Sequence, residues 1–450
     1  MKYVVLKFGG TSVRTKEARN AAALRVISCK EQGYQPVVVV SAIGRRGEPY
    51  ATDTLVQLLR EIDPVVEPDV RELDLMMACG EILSSVIFAH TLKSLGHPAM
   101  AMRGGQAGIR TDGQYGRARI LGVNPIGLME VSRRGAIPVV CGFQGVWTDG
   151  KLPGAELTTL GRGGSDTTAA ALGAALRAER VEIYTDVDGV KSADPDFVPG
   201  APTLGRVSYD EVAEIAHLGA KVLHPRAAEI AMRFGIPLWV KNTFSDHPGT
   251  EITTRDHAET AAVTGVTHSG KLVYLQADLQ DLPETARRQL MQVMYDTLGR
   301  QSFNLYMTNL SPSSFGFAVP REQYGLFMLL FDGLVIPLRG ETNEIAILQV
   351  GDEPSHETQT QVELLKPLGE TRVIRLASIE GCTMVSVVGR EALAQPGLFR
   401  TVLDTLAEEQ VPVLQTGDAD FSLSVLIPES ELRRTVSALH ARFGLATKGA

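Results

Sequence analysis

The stretch VVLKFGGTSV, residues 4–13, joins a run of apolar residues to two glycines and two hydroxyl side chains. The apolar run predicts a buried β-strand, and the glycines predict a turn into a following helix. Gly9 and Gly10 would let backbone N–H groups approach an anion closely, and a helix N-terminus favours negative charge. Lys7, at the end of the strand, would bring its ammonium to the same place. The alternative is an ordinary tight turn beside a surface lysine.

The first part of the chain, to about residue 250, alternates between short β-rich runs and helical patterns. Strands are predicted at 3–8, 36–41, 137–143, 181–185 and 236–241. Helices are predicted at 16–32, 69–95, 165–178, 208–218 and 226–234, with a further helix starting near Thr52. Such alternation is typical of an α/β layered domain with a mostly parallel sheet, in which ligands bind at the carboxyl ends of the strands.

The composition is that of a globular protein. The chain has 450 residues, is 44% hydrophobic and 21% charged, and is long enough for roughly two to four domains. A net charge of −8 argues against a surface built to bind nucleic acid. The four cysteines show no CxxC spacing, so neither a zinc site nor a disulfide framework is expected. With no signal peptide and no run of about 20 apolar residues, we expect a cytoplasmic protein without a membrane span.

After about residue 253 the pattern becomes that of smaller, antiparallel α+β units. Strands are predicted within 271–280, 302–311, 314–320, 344–351, 383–389 and 421–428. Helices are predicted near 284–298, 399–409 and 431–443. Two β-α-β-β cycles fit over 270–320 and 382–443, and the polar segment 353–361 is predicted to be a loop.

A second glycine-rich stretch, LGRGGSDTTAAALGAAL at 160–176, leads into a helix of small residues. Arg162 can bind a carboxylate through two hydrogen bonds, and Asp166 can receive an ammonium or act electrostatically at the helix start. Two opposite charges four residues apart suit a zwitterionic amino acid. A phosphate cradle and a plain loop entering a helix are the alternatives.

Two more polar residues stand in apolar surroundings. Ser41 ends a buried strand, where its hydroxyl could bind a ligand or simply cap a turn. Glu81 lies within a long apolar helix, where a buried carboxylate needs a partner such as the ammonium of a substrate. A solvent-facing glutamate or a structural ion pair is the alternative for Glu81.

Polar residues also follow the later strands of this part. Thr185 and Asp186 open an acidic turn that suggests Mg²⁺ or ribose hydroxyls but equally suggests an Asx turn. Lys221 is a candidate phosphate ligand, and His224, just before a helix that begins near Pro225, is expected to be structural or capping rather than a base. The nine histidines show no HxH or HExxH spacing, so a catalytic metal is not expected.

Together these segments resemble the aspartate kinases of the amino-acid kinase family. The strings KFGGTSV, VVVVSA, CGE, GRGGSDTTAAALGAAL, TDVDGV and GAKVLHPRA occur in the family's order over roughly residues 1–253. The remainder resembles the paired ACT domains of the same enzymes, closest to the monofunctional bacillary type that is sensitive to diaminopimelate. The resemblance implies a layered α/β kinase domain at 1–253 with a mostly parallel central sheet. Two α+β, ferredoxin-like ACT domains would follow at 263–375 and 376–450, with strand 263–266 as a candidate partner of the second.

The resemblance also assigns site residues by position. Lys7 and Asp166 would be catalytic, with Lys7 neutralising charge on the transferred phosphoryl group. The residues expected to hold aspartate are Thr52, Glu81, Arg162, Ser165 and Asp166. The residues expected to meet ATP are Lys7, Gly9, Gly10, Ser41, Thr185, Asp186, Lys191 and Lys221. No side chain is expected to bind a metal directly.

The implied reaction transfers the γ-phosphoryl group of ATP, with Mg²⁺, to the side-chain carboxylate of L-aspartate. The products would be 4-phospho-L-aspartate and ADP. The ACT domains imply feedback by meso-diaminopimelate, lysine or threonine and a homo-oligomer formed through them, with no nucleic-acid or membrane partner. Asp196 stands where the family usually has Arg, and Lys191 is expected to replace part of that charge. The alternatives are another small-molecule kinase of the family and a catalytically weak amino-acid sensor.

Overall fold

The computed structural model describes residues 1–63, 66–148, 150, 154–219, 223–254, 263–301, 303–311, 313–338, 344–367, 370–390 and 397–447. The chain divides into two compact units. The first comprises residues 1–195 and 199–265 together with the C-terminus from Gly444. The second comprises residues 196–198 and 266–443.

The first unit alternates strands and helices along the chain. Its strands are β1 (Tyr3–Phe8), β2 (Gln35–Val40), β3 (Ala99–Met102), β4 (Ile109–Thr111), β5 (Ile120–Val123), β6 (Ile137–Cys141), β7 (Gln144–Trp147), β8 (Glu156–Thr159), β9 (Arg180–Thr185), β10 (Arg206–Ser208), β11 (Leu238–Asn242) and β12 (Thr250–Thr253). Its helices are α1 (Lys16–Glu31), α2 (Thr52–Arg60), α3 (Val70–Ser94), α4 (Ile126–Arg133), α5 (Gly164–Leu176), α6 (Tyr209–His217) and α7 (Pro225–Phe234).

Eight strands form the central sheet, in the order β10-β12-β11-β9-β1-β2-β6-β3. Every neighbouring pair is parallel except β11 with β12, which confirms the predicted mostly parallel sheet. β1 lies near the middle, and Val4, Leu6 and Phe8 belong to a buried cluster shared with α1, β2 and α3. Burial on both faces explains why these strands are almost continuously apolar. The carboxyl ends of β1, β2 and β9 therefore meet at one edge of the sheet.

A smaller four-stranded sheet, in the order β5-β4-β7-β8, lies beside the central one. Its strands are only three or four residues long. Runs this short carry too few residues for alternation to be recognised, so this sheet was not predicted.

The long helix α3 places two acidic side chains inside the first unit. It begins after Asp69, whose carboxylate accepts a hydrogen bond from the N–H of Arg71 at 2.8 Å. Asp74 and Glu81 are buried on its inner side. By length and composition, α3 is the one helix of the described residues that could cross a membrane, but 44% of its most apolar window is buried within the protein. A core helix of a globular domain passes the same test.

Helix α5 is buried along most of its length. Every residue from 164 to 173 is buried, and most of them are Gly, Ala, Ser or Thr. The helix follows Gly163, which has a φ of 68°, a left-handed conformation that favours glycine. A Cβ atom on Gly173 would lie 2.5 Å from the Cγ2 atom of Val181 in β9. Small side chains thus let α5 lie directly against the sheet.

The second unit is built around one nine-stranded sheet. Its strands are β13 (Gly265–His268), β14 (Leu272–Asp278), β15 (Tyr306–Leu310), β16 (Ser314–Pro320), β17 (Val335–Leu338), β18 (Glu344–Val350), β19 (Glu370–Val388), β20 (Gln415–Ala419) and β21 (Ser422–Pro428). Its helices are α8 (Glu284–Arg300), α9 (Arg321–Phe331), α10 (His356–Leu365), α11 (Leu398–Glu408) and α12 (Leu432–Arg442).

The long strand β19 joins the two halves of this sheet. One path runs β15-β16-β14-β19-β18-β17, and β13 and β21 also pair with β19, with β20 beside β21. The element order β14-α8-β15-β16 recurs as β19-α11-β20-β21, which are the two β-α-β-β cycles predicted from the sequence. The elements α9, β17, β18 and α10 stand between the cycles.

The predicted loop at 353–361 is wrong, because α10 begins within it. The hydroxyl of Ser355 accepts a hydrogen bond from the N–H of Thr358 at 3.1 Å and caps the helix. Thr358 is buried and donates to Asp332 Oδ1 at 3.1 Å. This helix has few apolar residues, so its periodicity is weak, and the Ser355 cap is the signal that could have found it.

The loop after β2 folds back over the turn after β1. Gly44 donates its N–H to the carbonyl of Gly10 at 3.1 Å, and Ser41 donates to the carbonyl of Phe8 at 3.1 Å. A Cβ atom on Gly10 would lie 2.4 Å from the carbonyl oxygen of Gly44 and 2.7 Å from that of Ala42. The glycine is therefore required by a close approach of two backbone segments. A Cβ atom on Gly9 would meet nothing closer than 3.7 Å.

We expect Gly10→Ala to destabilise the protein and Gly9→Ala to leave its melting temperature almost unchanged. The Gly10 variant must push the loop away from β1, an overpacking that costs about 1–3 kcal/mol. The two variants carry the same change at adjacent positions, so each controls the other in thermal melts followed by circular dichroism. Equal melting temperatures for the two variants would show that the loop does not rest on Gly10.

Candidate active site

A cavity of about 440 Å³ lies where β1 and β2 end and α2 and α5 begin. The predicted residues on its walls are Lys7, Ser41, Thr52, Glu81, Arg162, Ser165 and Asp166. The structure thus brings together every residue predicted to hold an amino acid, and five separate segments of the chain supply the seven wall residues named here. Gly9, Gly10, Thr185, Asp186 and Lys191 lie outside this wall.

An ion pair joins the two glycine-rich stretches. The Nζ atom of Lys7, from β1, lies 2.7 Å from Oδ1 of Asp166, in the first turn of α5. Each side chain is only 12% exposed, so the charges interact in surroundings with little water. Asp166 also accepts a hydrogen bond from the N–H of His224 at 3.3 Å through Oδ2. The ammonium of Lys7 is therefore held at the carboxyl end of β1, facing the cavity.

Glu81 has one satisfied and one unsatisfied oxygen. Its Oε1 atom accepts a hydrogen bond from the N–H of Ala42 at 3.0 Å, whereas its buried Oε2 atom has no hydrogen-bond partner among the described residues. The side chain is 3% exposed, and this burial raises its pKa to about 8. An acidic side chain with an unpartnered oxygen on a cavity wall can receive a cation, whose positive charge would favour the ionised form of the carboxyl group.

Arg162 supplies the opposite charge. Its side chain is exposed, and it has no ion pair or hydrogen bond within the described residues. It stands between Gly161 and Gly163, which have φ values of 75° and 68°. The neighbouring Ser165 is buried, with its Oγ atom close to Gly142. The cavity therefore presents a free guanidinium on one part of its wall and Glu81 with Asp166 on another.

His224 has a structural role, as predicted. It is the N-cap of α7, where its Nδ1 atom accepts a hydrogen bond from the N–H of Arg226 at 3.3 Å. Burial lowers the pKa of its imidazole, which favours the neutral ring that such a cap requires. A Cβ atom on Gly163 would lie 2.0 Å from this ring. The ring therefore packs directly against the glycine turn that precedes α5.

The end of β9 carries the residues predicted to meet a nucleotide. The hydroxyl of Thr185 donates to Asp186 Oδ1 at 3.2 Å. Asp186 Oδ2 is 2.6 Å from the Nη2 atom of Arg45, in the loop after β2. Arg45 thus reaches from β2 to β9 across the end of β1, which lies between them in the sheet. Arg45 was not predicted as a site residue, because the strand order that brings these loops together is not visible in the sequence.

The other residues predicted near the nucleotide differ in the contacts that they make. The Nζ atom of Lys191 donates to the hydroxyl of Thr203 at 2.7 Å, and the two residues also form an isolated β-bridge. Lys191 therefore has a local structural partner. Asp188 accepts hydrogen bonds from Asn242 at 2.8 Å and Ser245 at 2.7 Å, which lower its pKa. Lys221 lies outside the described residues.

Two residues that shape the cavity were not predicted. Phe143 lines it with a φ of 68°, which is unusual for an aromatic residue, and the hydroxyl of Thr168 accepts a hydrogen bond from its N–H at 3.1 Å. Asp74 accepts hydrogen bonds from the N–H of Gly116 at 2.9 Å and from the N–H of Thr159 at 2.8 Å. It thereby fixes Gly116 on the cavity wall. An acidic residue in an apolar helical pattern is the one signal that could have pointed to Asp74.

The described residues contain no group of three or more His, Cys, Asp or Glu side chains that could hold a metal ion. Asp186 and Asp188 are the acidic residues nearest the end of β9, and both already have partners. A divalent cation at this edge would therefore have to bring most of its ligands with it, as Mg²⁺ does when it is bound to phosphates and water.

Comparison with known proteins gives consistent matches over both units. A family model of the amino acid kinase family matches residues 2–242, and a model of the ACT domain matches residues 377–441. Aspartokinase 1 of Bacillus subtilis is 33% identical over 452 residues, covering 99% of this chain and 100% of the relative. The aspartokinase of Mycolicibacterium smegmatis is 35% identical, covering 99% and 97%. The structure of Escherichia coli aspartokinase III with aspartate and ADP superposes with a TM-score of 0.70 at 23% identity, covering 98% of this chain and 99% of the other.

Proposed function

Because this chain belongs to the amino acid kinase family, and within it to the aspartokinases, we propose that the cavity lined by Arg162 binds L-aspartate. An aspartokinase transfers the γ-phosphoryl group of ATP to the side-chain carboxylate of L-aspartate and releases 4-phospho-L-aspartate and ADP. This is the first step toward lysine and diaminopimelate, threonine and methionine.

The observation that carries the proposal is the pair of unmatched groups on one cavity wall. Arg162 has no partner among the described residues, and Glu81 Oε2 is buried without one. Aspartate offers an α-carboxylate for the guanidinium and an ammonium for Glu81 and Asp166. Thr52 and Ser165 line the same wall and can donate or accept hydrogen bonds. The side-chain carboxylate of the substrate would then point toward Lys7.

The chemical step needs no general base. A carboxylate with a pKa near ~3.9 is already ionised at neutral pH, so the nucleophile is formed before it binds. The barrier lies in bringing this anion onto a polyanion, and positioning together with charge neutralisation lowers it. Lys7 is suited to this role because Asp166 fixes its ammonium at the end of β1.

We assign the nucleotide to the neighbouring edge of the sheet. Gly10 would place its backbone N–H near the phosphates, with Ser41 and Lys221 beside it. The N–H of Gly9 already donates to the carbonyl of Tyr184 at 3.3 Å, so Gly9 would contribute by leaving space for the phosphates. Thr185 and Asp186 would meet the sugar or phosphates, and Arg45 would add a positive charge from the loop after β2. Mg²⁺ would enter as MgATP, because the described residues offer no cage of their own.

Trapping the acyl phosphate with hydroxylamine tests the proposed function directly. We expect hydroxamate to form from ATP and L-aspartate and to form poorly from glutamate, acetylglutamate or UMP. Turnover of another member of this panel would assign the chain to a different small-molecule kinase of the family. Binding of amino acids without turnover of any panel member would favour the alternative of a catalytically weak sensor.

The ACT domain supports a second part of the proposal, feedback control by an amino acid. Such coupling between sites typically amounts to about 1–3 kcal/mol, or roughly 5- to 150-fold in affinity. Escherichia coli aspartokinase III has been solved with lysine and aspartate in a T state. For this chain we propose meso-diaminopimelate, lysine or threonine as the effector, with diaminopimelate first. Kinase assays with each amino acid test this, and no response to any of them would remove the regulatory proposal.

We also propose that the enzyme acts in the cytoplasm and that its ACT domains take part in a homo-oligomer. A sheet edge that is exposed in one copy can pair with a second copy, and a two-fold contact would use the same edge on both. Sedimentation equilibrium of the wild-type chain and of variants with substitutions in the second unit would measure how much the ACT domains contribute to self-association.

We expect Lys7→Ala to lower kcat by about 10²–10³-fold, because one preorganised positive group is lost at the transferred phosphoryl. Lys2→Ala is the matched control: it removes an exposed lysine just before the same strand, paired with Glu179 at 3.5 Å. Steady-state rates at saturating ATP and aspartate provide the measurement. A Lys7→Ala variant that folds and keeps near-normal turnover would exclude Lys7 from the chemical step.

We expect Arg162→Ala to raise the KM for aspartate by about 10- to 100-fold and to change the KM for ATP little. The loss of a charge-assisted bidentate hydrogen bond accounts for an effect of this size. Arg46→Ala, at an exposed arginine without a partner among the described residues, should leave the KM for aspartate unchanged. If only the KM for ATP rose in Arg162→Ala, the assignment of the cavity to aspartate would be wrong.

The pH dependence of aspartate use should report Glu81. Its pKa is raised to about 8, so the free enzyme carries a protonated Glu81 below this pH and an ionised Glu81 above it. Only the ionised form attracts an ammonium, so kcat/KM for aspartate should rise about 25-fold between roughly pH 6.5 and 8.5 and level off above about pH 9.

Glu81→Gln should remove most of this rise and lower kcat/KM at the alkaline end. Glu72→Gln, at an exposed position of the same helix, is the control and should keep the wild-type profile. A profile that stays unchanged in Glu81→Gln would mean that another group causes the pH dependence.

A further inference from the structure

Arg45 lies between the two substrate sites of the kinase unit. The cavity proposed for aspartate is at the ends of β1 and β2, and the residues proposed for the nucleotide follow β9. Because β1 lies between β2 and β9 in the sheet, the side chain of Arg45 crosses the end of β1 to reach Asp186 at 2.6 Å. A phosphoryl group that passes from the nucleotide to aspartate has to lie in the same interval.

The backbone of Arg45 is fixed by its neighbours. Its N–H donates to Glu48 Oε2 at 2.9 Å, and its carbonyl accepts a hydrogen bond from the N–H of Glu48 at 3.0 Å. The other carboxylate oxygen of Glu48 lies 2.5 Å from Arg14 Nη2, just after the turn that follows β1. Together with the hydrogen bond from Gly44 to Gly10, these contacts tie the loop after β2 to that turn at two places.

The side chain of Arg45, in contrast, is held weakly. It is 67% exposed, and Asp186 is its one partner within the ranges that the structure describes. An ion pair between exposed side chains contributes little, because water and salt screen the charges and both side chains lose freedom. A phosphate group accepts two parallel hydrogen bonds from a guanidinium and carries more negative charge than a carboxylate. A bound nucleotide can therefore take Arg45 away from Asp186 by rotations of the side chain alone.

The end of β9 is acidic. Asp186 and Asp188 follow this strand, and hydrogen bonds lower the pKa of Asp188, which keeps it ionised at neutral pH. A triphosphate placed here meets acidic side chains, and the ammonium of Lys191 is already hydrogen-bonded to Thr203. Arg45 brings a positive charge to this edge from the loop of a different strand, and it can offset the charge of an incoming phosphate.

We propose, on the basis of the function proposed above, that Arg45 exchanges its partner when MgATP binds. Its guanidinium leaves Asp186 and binds the γ-phosphoryl group, where charge spreads over three oxygen atoms during transfer. Arg45 is then a catalytic residue that acts together with Lys7 on the group that the aspartate carboxylate attacks. In the complex with ADP this group is absent, so Arg45 stays on Asp186. The exchange therefore makes the site selective for the triphosphate over the diphosphate product.

A purely structural ion pair is the alternative. In that case Arg45 would hold the loop after β2 against the end of β9 whichever nucleotide is bound. The loop already has its own contacts with the turn after β1, so it does not need the weak pair with Asp186. The two roles differ in one measurable respect, because only the exchange depends on the γ-phosphoryl group.

Isothermal titration of the full-length chain, without aspartate, separates the two roles. We expect Arg45→Ala to weaken binding of the β,γ-imido analogue of MgATP by about 10- to 100-fold and binding of MgADP by less than about 3-fold, because a charge-assisted bidentate contact is lost only with the analogue. Arg45→Lys should recover part of the loss, since it keeps the charge but not the two parallel hydrogen bonds. Arg46→Ala, at the neighbouring exposed arginine, is the control and should bind both nucleotides like wild type. Equal losses for the two nucleotides, or no loss for the analogue, would overturn the proposal.

Rates and melting temperatures complete the test. At saturating MgATP and aspartate, Arg45→Ala should lower kcat by about 10²-fold, as expected for the loss of one positive group at the transferred phosphoryl. Its melting temperature without ligands should stay near that of wild type, because the ion pair with Asp186 is exposed. Near-normal kcat in this variant, or a marked drop in its melting temperature with equal losses for both nucleotides, would contradict the exchange. The titrations contain no aspartate, so they stand even where the hydroxylamine assay shows that another acid is the substrate.

Discussion

The ion pair between Lys7 and Asp166 is the constraint on which the rest of the site depends. One partner ends the middle strand of the sheet and the other begins a buried helix, so the 2.7 Å contact fixes β1 and α5 relative to each other. A buried pair of this kind is expensive to break, because either charge left alone loses both its partner and its water. Arg162 lies just before α5, and Ser41 donates its N–H to the carbonyl of Phe8 at the end of β1, so both lie beside this contact.

Much of the first unit could be predicted because its central strands are buried along almost their whole length. Strands such as β1 and β2 are covered on both faces, so apolar runs marked their bounds to within a residue or two. Glycine at residue 10 and the small residues of α5 were informative for a related reason: only they permit the close approaches seen there. The long helices α1 and α3 were also predicted to within one residue of their ends.

What the sequence could not show depends on contacts between distant segments. Arg45 meets Asp186 only because β1 lies between β2 and β9 in the sheet, an order no local pattern encodes. The expectation that Lys191 replaces part of the charge lost at Asp196 did not take account of Thr203, whose hydroxyl accepts a hydrogen bond from its ammonium. The helix α10 was missed because a single buried threonine, rather than an apolar stripe, anchors it. In each case the structure depends on a contact with a residue elsewhere in the chain, or on a buried residue that is not apolar.

The small side chains of α5 have a consequence for how the site can change. Gly173 approaches β9 so closely that an added methyl group would meet Val181, and the residues before it are buried as well. A larger side chain on this helix would lift it from the sheet and carry Asp166 away from Lys7. The distance between the two charges is therefore set by side-chain volume several residues away. Substitutions can therefore change the catalytic geometry of this enzyme only as far as the space between α5 and the sheet allows. This limit matters as much as the charged groups in the site.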